Sequence, residues 1–331
     1  IALLLRQIDP RDVLSLLWGV NLGWLLIACG WYAFTNMLRA YRFGVMLELD
    51  GRLAPLAILP EMFALSFLNN VLPGRTGELS FPYFMYKRHG MAAGESASSL
   101  VAARIFDYVA VAILYVAFTL LELDNLDPNA ARVVSAVGIL LGISIVFLAG
   151  APWFTSVAVG LADRFFSAIH QEESRIARMV EQVGEQAAIT FRRMRNVRTY
   201  SLTFAWSIAI WLATFAWFAS LMQAIGVGRR YPLVVVGSTF ASLAKAIPFV
   251  TIGGFGAHEA GWTVGYSLTG MDTATAIASG FAVNILTLLM SVAFGALALI
   301  YLNGAVGAWQ AVRQPEPTMG ANVDPGAGSG E

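Results

Sequence analysis

The chain has 331 residues, of which 57% are apolar and 13% are charged, and its formal net charge is zero. Soluble domains carry about 25% charged residues, so this composition predicts a membrane protein whose apolar surface faces lipid. The zero net charge excludes a general attraction to nucleic acid. The single cysteine, Cys29, excludes an internal disulfide, and the three histidines are far apart in sequence. We therefore expect no metal centre and no cofactor.

Long apolar stretches predict the helices that cross the membrane, because a span needs about 20 apolar residues. Two further stretches, 55–86 and 232–269, are interrupted by proline and glycine, and each half is short for a full span. Short interrupted segments of this kind predict two half-helices that meet inside the membrane. The clear candidates for full spans are, in chain order, 13–34, 98–121, 133–148, 200–222 and 273–301.

Residues 157–198 combine apolar residues at roughly helical spacing with clustered arginines. This pattern predicts a basic amphipathic helix on the membrane surface, and a solvated connector is the alternative. The tail 314–331 is rich in proline and glycine, which predicts disorder. We expect one transmembrane domain over 1–313, divided into repeat 1 at about 13–121, a linker helix at 132–150, the amphipathic helix, and repeat 2 at about 200–301.

Lysine and arginine residues predict the orientation, because they concentrate on the cytoplasmic side. The acidic loop 122–132 is expected outside and the arginine-rich segment 157–198 inside. Three cations then remain within the membrane, namely Arg75, Arg104 and Lys245. The cations that this orientation assigns to the cytoplasmic side before residue 90 are Arg39, Arg42, Arg52, Lys87 and Arg88.

The two interrupted stretches resemble each other. Both begin Pro-Leu, at Pro55 and Pro232, both break at a proline, and both place a glycine-rich turn before a glutamate. With the orientation above, they enter the membrane from opposite sides. We therefore predict an all-α, polytopic fold with inverted repeats, each containing a re-entrant helical hairpin, as in transporters whose site lies between the halves. A chance likeness of two loops is the alternative. The predicted turn residues are Pro73, Gly74, Gly77, Pro248, Gly254 and Gly256.

Polar side chains inside the apolar segments form the candidate site. A charge at a helix centre costs about 2.5–3.5 kcal/mol on insertion scales and persists where it is paired or faces a polar cavity. The three intramembrane cations together could hold a phosphate, with acidic residues balancing them; a purely structural ion network is the alternative. His258 is expected either to carry a proton or simply to hydrogen-bond. The predicted substrate-binding residues are Asn69, Asn70, Arg75, Glu78, Arg104, Asp107, Lys245, His258 and Glu259, and no catalytic residue is predicted.

Four segments of the sequence resemble the lysylphosphatidylglycerol synthase transmembrane-domain family, also called flippase-like membrane proteins. They are "FLNNVLPGRTGELSFPYF", "SLVAARIFDYVAV", "MLRAYRFGVML" and "GGFGAHEAGW". The likeness runs from about residue 10 to residue 302. The chain departs from the family at "LSFPYF", where members often carry an arginine soon after the first glutamate. The resemblance implies a multi-pass protein of the plasma (inner) membrane that moves a lipid between leaflets.

We therefore expect a lipid transporter, or flippase, for an anionic phospholipid or a polyprenyl-phosphate-linked lipid, and we expect that the protein is not an enzyme. The alternatives are a membrane-embedded glycosyltransferase or other lipid-modifying enzyme, and a scaffold of a lipid-synthesis complex. The expected partners are a membrane lipid as substrate, a second copy of the chain or lipid-biosynthesis enzymes, and no nucleic acid.

Overall fold

The computed structural model describes residues 9–47, 55–123, 128–149, 196–246 and 254–313. Regular structure in these ranges is helical throughout, which confirms the predicted all-α class. The predicted disordered tail, Pro248 and residues 157–195 of the predicted amphipathic helix lie outside the described residues. The α-helices are α1 Pro10–Trp18, α2 Leu22–Met46, α3 Leu59–Val71, α4 Ser80–His89, α5 Ala93–Glu122, α6 Pro128–Ala149, α7 Val197–Ala224, α8 Tyr231–Ala246, α9 Ala257–Leu268 and α10 Thr273–Arg313.

Three helices are long and apolar enough to cross a membrane within the described residues: Ala93–Glu122, Val197–Ala224 and Thr273–Asn303. They contain the predicted spans 98–121, 200–222 and 273–301. The predicted stretch 133–148 lies within α6. Three of the five predicted full spans therefore lie in helices that could cross a membrane, and the prediction of a membrane protein is confirmed.

The predicted span 13–34 divides into two helices that meet at an angle of 89°. The break follows from local capping, because the Asn21 side chain accepts a hydrogen bond from the backbone N–H of Trp24 at 3.1 Å and so begins α2. As a result, α2 continues to Met46, well beyond the predicted end of the span. This shift carries the arginines of α2 into the helix bundle.

The first interrupted stretch folds as α3, a 3₁₀ segment at Pro73–Leu79, and α4. Leu72 is extended, as expected for a residue before proline. A Cβ atom on Gly77 would lie 2.3 Å from the carbonyl carbon of Leu68, so this turn requires a residue without a side chain. The predicted break is therefore confirmed at its expected position.

The second interrupted stretch folds as α8 and α9, and the described part of its turn contains Gly254 and Gly256 at φ +69° and +95°. These left-handed conformations favour glycine. The two helices pack closely, since a Cβ atom on Gly265 would lie 2.1 Å from the carbonyl oxygen of Gly237. Small residues allow helix backbones to approach in this way.

The most extensive packing between the two halves of the chain is made by two helix pairs. Helix α2 lies along α7, and α3 lies along α10. The larger apolar core joins α7, α8, α9 and α10 around Trp262 and Tyr266, and a second core joins α2 to α5 around Phe43 and Phe81. Between these cores lies a polar cavity.

Candidate functional site

The cavity has a volume of about 240 Å³ and is bounded by both halves of the chain. Its lining comes mainly from α2, α3, α5, α7 and α8, with single residues from α9 and α10. Among the described lining residues are four cations and one carboxylate. These charged residues are Arg39, Arg42, Arg104, Lys245 and Asp107.

Asp107 is bound by Arg42 through two contacts. Arg42 Nη1 lies 2.5 Å from Asp107 Oδ1, and Nη2 lies 3.3 Å from Oδ2. Arg42 also donates to Ser207 Oγ at 3.0 Å, and Trp211 Nε1 donates to Asp107 Oδ1 at 3.2 Å. This bidentate, buried pair joins α2, α5 and α7. The residue that pairs with Asp107 thus comes from another helix and not from α5 itself.

Arg104 forms an ion pair with Glu78, which lies in the turn after Pro73. The two side chains are 35% and 26% exposed. The pair attaches the turn to α5. This is the role that the alternative hypothesis, a purely structural ion network, gave to such residues. Asn69 and Asn70 also line the cavity, at the end of α3. The Arg75 side chain lies outside the described part of the chain.

A hydrogen-bonded chain connects Lys245 to Glu259. Lys245 Nζ donates to Asn284 Oδ1 at 3.2 Å, and Asn284 Nδ2 donates to Glu259 Oε1 at 2.9 Å. The other carboxylate oxygen of Glu259 accepts the backbone N–H of Gly256 at 2.5 Å. Glu259 is fully buried and holds the start of α9, where a carboxylate is favoured. Among the described residues, Asn284 and Lys245 connect it to the cavity.

His258 does not line the cavity. It is 1% exposed, and its ring lies 5.3 Å from the ring of Trp262 and 6.4 Å from that of Phe218. Within the described residues, neither ring nitrogen has a hydrogen-bond partner. His258 therefore lies behind the cavity wall, beside Glu259 at the start of α9.

Arg39 and Arg42 were missed as site residues, because the sequence analysis assigned them to the cytoplasmic side of the membrane. Both lie on α2 and line the cavity. Their spacing of three residues puts them on one helix face, and this was the available signal. The physical reason for the error is that hydropathy ended the first span near residue 34, whereas the helix continues to Met46.

Comparison with protein families decides the classification. The model of the family described as "Lysylphosphatidylglycerol synthase TM region" matches residues 1–295. The chain belongs to this family. Membership confirms the resemblance seen in the sequence and establishes a lipid-related membrane protein.

One curated relative is the protein named glycosyltransferase AglD, from Haloferax volcanii. It is 26% identical to the chain over 296 residues, which cover 80% of this chain and 46% of the relative. The chain thus spans less than half of the relative's length. The name of that protein, a glycosyltransferase, contradicts the expectation from the sequence that this chain is not an enzyme. No solved structure matches the chain.

Proposed function

We propose that the protein binds the phosphate of an anionic membrane lipid in its cavity and moves that lipid between the leaflets of the plasma membrane. The supporting observation is the charge of the cavity, which has four cations and one carboxylate among its described lining residues. Unbalanced charge within a helix bundle of this apolar character is costly. An anionic ligand would offset the excess positive charge.

The size of the cavity fits a headgroup better than a whole lipid. Typical ligand pockets measure about 300–1,000 Å³, and this cavity measures about 240 Å³. The phosphate and its substituents would occupy the cavity, while the acyl or prenyl chains remain in the bilayer. Asn69 and Asn70 would contact the neutral part of the headgroup.

Equivalent contacts in the two halves support an inverted repeat with re-entrant hairpins. In the first half, Glu78 of the turn pairs with Arg104 of the following long helix, 26 residues later. In the second half, Glu259 bonds Asn284 of the following long helix, 25 residues later. A contact from a turn glutamate to the following long helix, at nearly the same spacing in both halves, is what a duplicated unit would produce.

Two polar contacts between the halves support a rocking movement of one half against the other. Glu122, at the end of α5, pairs with Arg230, which precedes α8. Arg88, at the end of α4, donates to the hydroxyl of Tyr301 on α10 at 3.2 Å. Each contact joins the two halves of the chain. In the proposed mechanism they open alternately, so that the cavity faces one leaflet and then the other.

A second candidate function is favoured by the relative. The chain would then be the membrane part of a glycosyltransferase that acts on a lipid-linked substrate. The carboxylate of Asp107 in the cavity is the type of group that can assist proton transfer in such chemistry.

Reconstitution into liposomes that contain fluorescent phosphatidylglycerol tests the proposal. Dithionite should quench the fluorescence faster with the wild-type protein than with Glu78→Gln or Arg104→Ala. Arg198→Gln, which removes an exposed arginine outside the cavity lining, is the matched control and should behave as wild type. Wild-type quenching at the rate of protein-free liposomes would refute transport. A new lipid product on thin-layer chromatography would support the enzyme instead.

A further inference from the structure

We infer that Arg39 is the residue that binds the phosphate of the ligand, and that the other cavity cations serve mainly to hold the protein together. This inference rests on the proposed function, because it names the anion-binding residue within the same cavity. It differs from the prediction made from the sequence, which assigned the phosphate to Arg75, Arg104 and Lys245.

The other described cations of the cavity already have acceptors within the protein. Arg42 binds both carboxylate oxygens of Asp107. Arg104 forms an ion pair with Glu78. Lys245 donates to Asn284, which links it to Glu259. Arg42 and Arg104 are thus each neutralised by a carboxylate, and Lys245 is connected to one through Asn284.

Arg39 differs from these cations. In the part of the chain that the structure describes, it forms no ion pair, and its side-chain hydrogen bonding consists of one contact, from Nη1 to Ser66 Oγ at 3.2 Å. A guanidinium has five N–H donors in a fixed plane. Its remaining donors can therefore bind a phosphate in the bidentate geometry that arginine favours.

A hydrogen-bonded chain fixes the orientation of Arg39. The Ser66 hydroxyl donates to Asn36 Oδ1 at 2.7 Å, so its lone pair is directed to accept from Arg39. Asn36 in turn donates to the backbone carbonyl of Tyr32 at 2.9 Å. Asn36 and Ser66 are both buried. The guanidinium is thereby held at the cavity wall, which lowers the entropy lost when a ligand binds.

Further polar atoms around the same cavity indicate a polar ligand. Asn69 Oδ1, Trp217 Nε1 and Thr287 Oγ1 are buried and have no hydrogen-bond partner among the described residues. All three residues line the cavity. Buried polar groups are normally hydrogen-bonded. The three residues come from α3, α7 and α10, so both halves of the protein contribute polar groups to the wall of the cavity.

The test measures ligand affinity of the full chain in detergent, through tryptophan fluorescence, since Trp211 and Trp217 line the cavity. The probes are phosphatidylglycerol, diacylglycerol and inorganic phosphate. Arg39→Gln should weaken phosphatidylglycerol binding about ten- to hundredfold, as expected for a lost hydrogen bond to a charged group. The affinity of Arg39→Lys should lie between those of wild type and Arg39→Gln, because lysine keeps the positive charge but lacks the planar guanidinium. Arg198→Gln should bind as wild type.

Ser66→Ala provides a second variant in case Arg39→Gln fails to fold. It keeps the Arg39 charge and removes the bond that positions it, so affinity should fall about two- to tenfold. Phosphatidylglycerol binding by folded Arg39→Gln at wild-type affinity would overturn the inference and leave the proposed function standing. Wild-type protein that binds phosphatidylglycerol no better than diacylglycerol would overturn both. If inorganic phosphate binds as tightly as the lipid, with the same dependence on Arg39, the result would support the role of Arg39 but refute a lipid as the source of the phosphate.

Discussion

Replacing Gly265 by alanine is expected to destabilise the contact between α8 and α9. The added Cβ atom would lie 2.1 Å from the carbonyl oxygen of Gly237 and 2.9 Å from its carbonyl carbon. Since non-bonded heavy atoms prefer separations of about 3.5–4.0 Å, the two backbones would have to move apart by more than ~1 Å. No change of rotamer can relieve a clash with backbone atoms. Overpacking of this type costs about 1–3 kcal/mol, occasionally more.

Gly30→Ala is the matched control, because it makes the same chemical change in another helix. A Cβ atom on Gly30 would meet no atom within 4 Å. Alanine is favoured over glycine in helices by about 1 kcal/mol, so this variant should be as stable as wild type or more stable.

The assay is thermal unfolding in detergent, followed by size-exclusion chromatography of the remaining monodisperse protein. Domains of 150–250 residues lose about 2–4 °C per kcal/mol, so Gly265→Ala in this longer chain should melt a few degrees below wild type. Equal melting temperatures for Gly265→Ala and Gly30→Ala would refute the role given to close backbone contact. A lower melting temperature for Gly30→Ala alone would also refute it.

Two further predictions concern single contacts. Asp107→Ala leaves Arg42 buried without its carboxylate and should lower the free energy of unfolding by about 3–5 kcal/mol. The double variant Arg42→Met with Asp107→Leu should recover much of this loss. If the changes in melting temperature of the two single variants simply added in the double variant, the result would argue against the pair. Asp272→Ala removes the side chain that caps α10 and should cost about 1 kcal/mol. The hydrogen bond that Asp272 accepts from the backbone N–H of Thr275 lowers the pKa of its carboxyl group from the ordinary value of 3.8. The stabilisation by Asp272 is therefore present above pH ~3.8 and lost as the pH falls through the folded pKa. A difference in stability between wild type and Asp272→Ala that persists in strong acid would contradict the assignment.

Much of the fold followed from local sequence signals. The predicted spans 98–121, 200–222 and 273–301 each lie inside a long helix. The break at Pro73 and the left-handed glycines before α9 also lie where the sequence placed them. Hydropathy over about 20 residues and the backbone preferences of proline and glycine are local properties of the chain. They can therefore be interpreted without knowledge of the tertiary packing.

The candidate site was predicted less completely. Glu78, Arg104, Asp107 and Lys245 do lie around one cavity or contact a residue that lines it. Their partners were not predicted, because Arg42 and Asp107 are 65 residues apart in sequence. Which charges meet depends on how α2, α5 and α7 pack and on their rotation about their axes.

The sequence by itself determined that the chain belongs in a membrane, that its helices are broken at two places, and that charges lie within the apolar segments. These properties depend on composition and local order. Only the tertiary structure decided that Arg39 and Arg42 face the cavity and that His258 lies among aromatic rings outside it. The physical reason is that an ion pair or a cavity is formed by side chains from separate helices, whose relative positions no local pattern specifies.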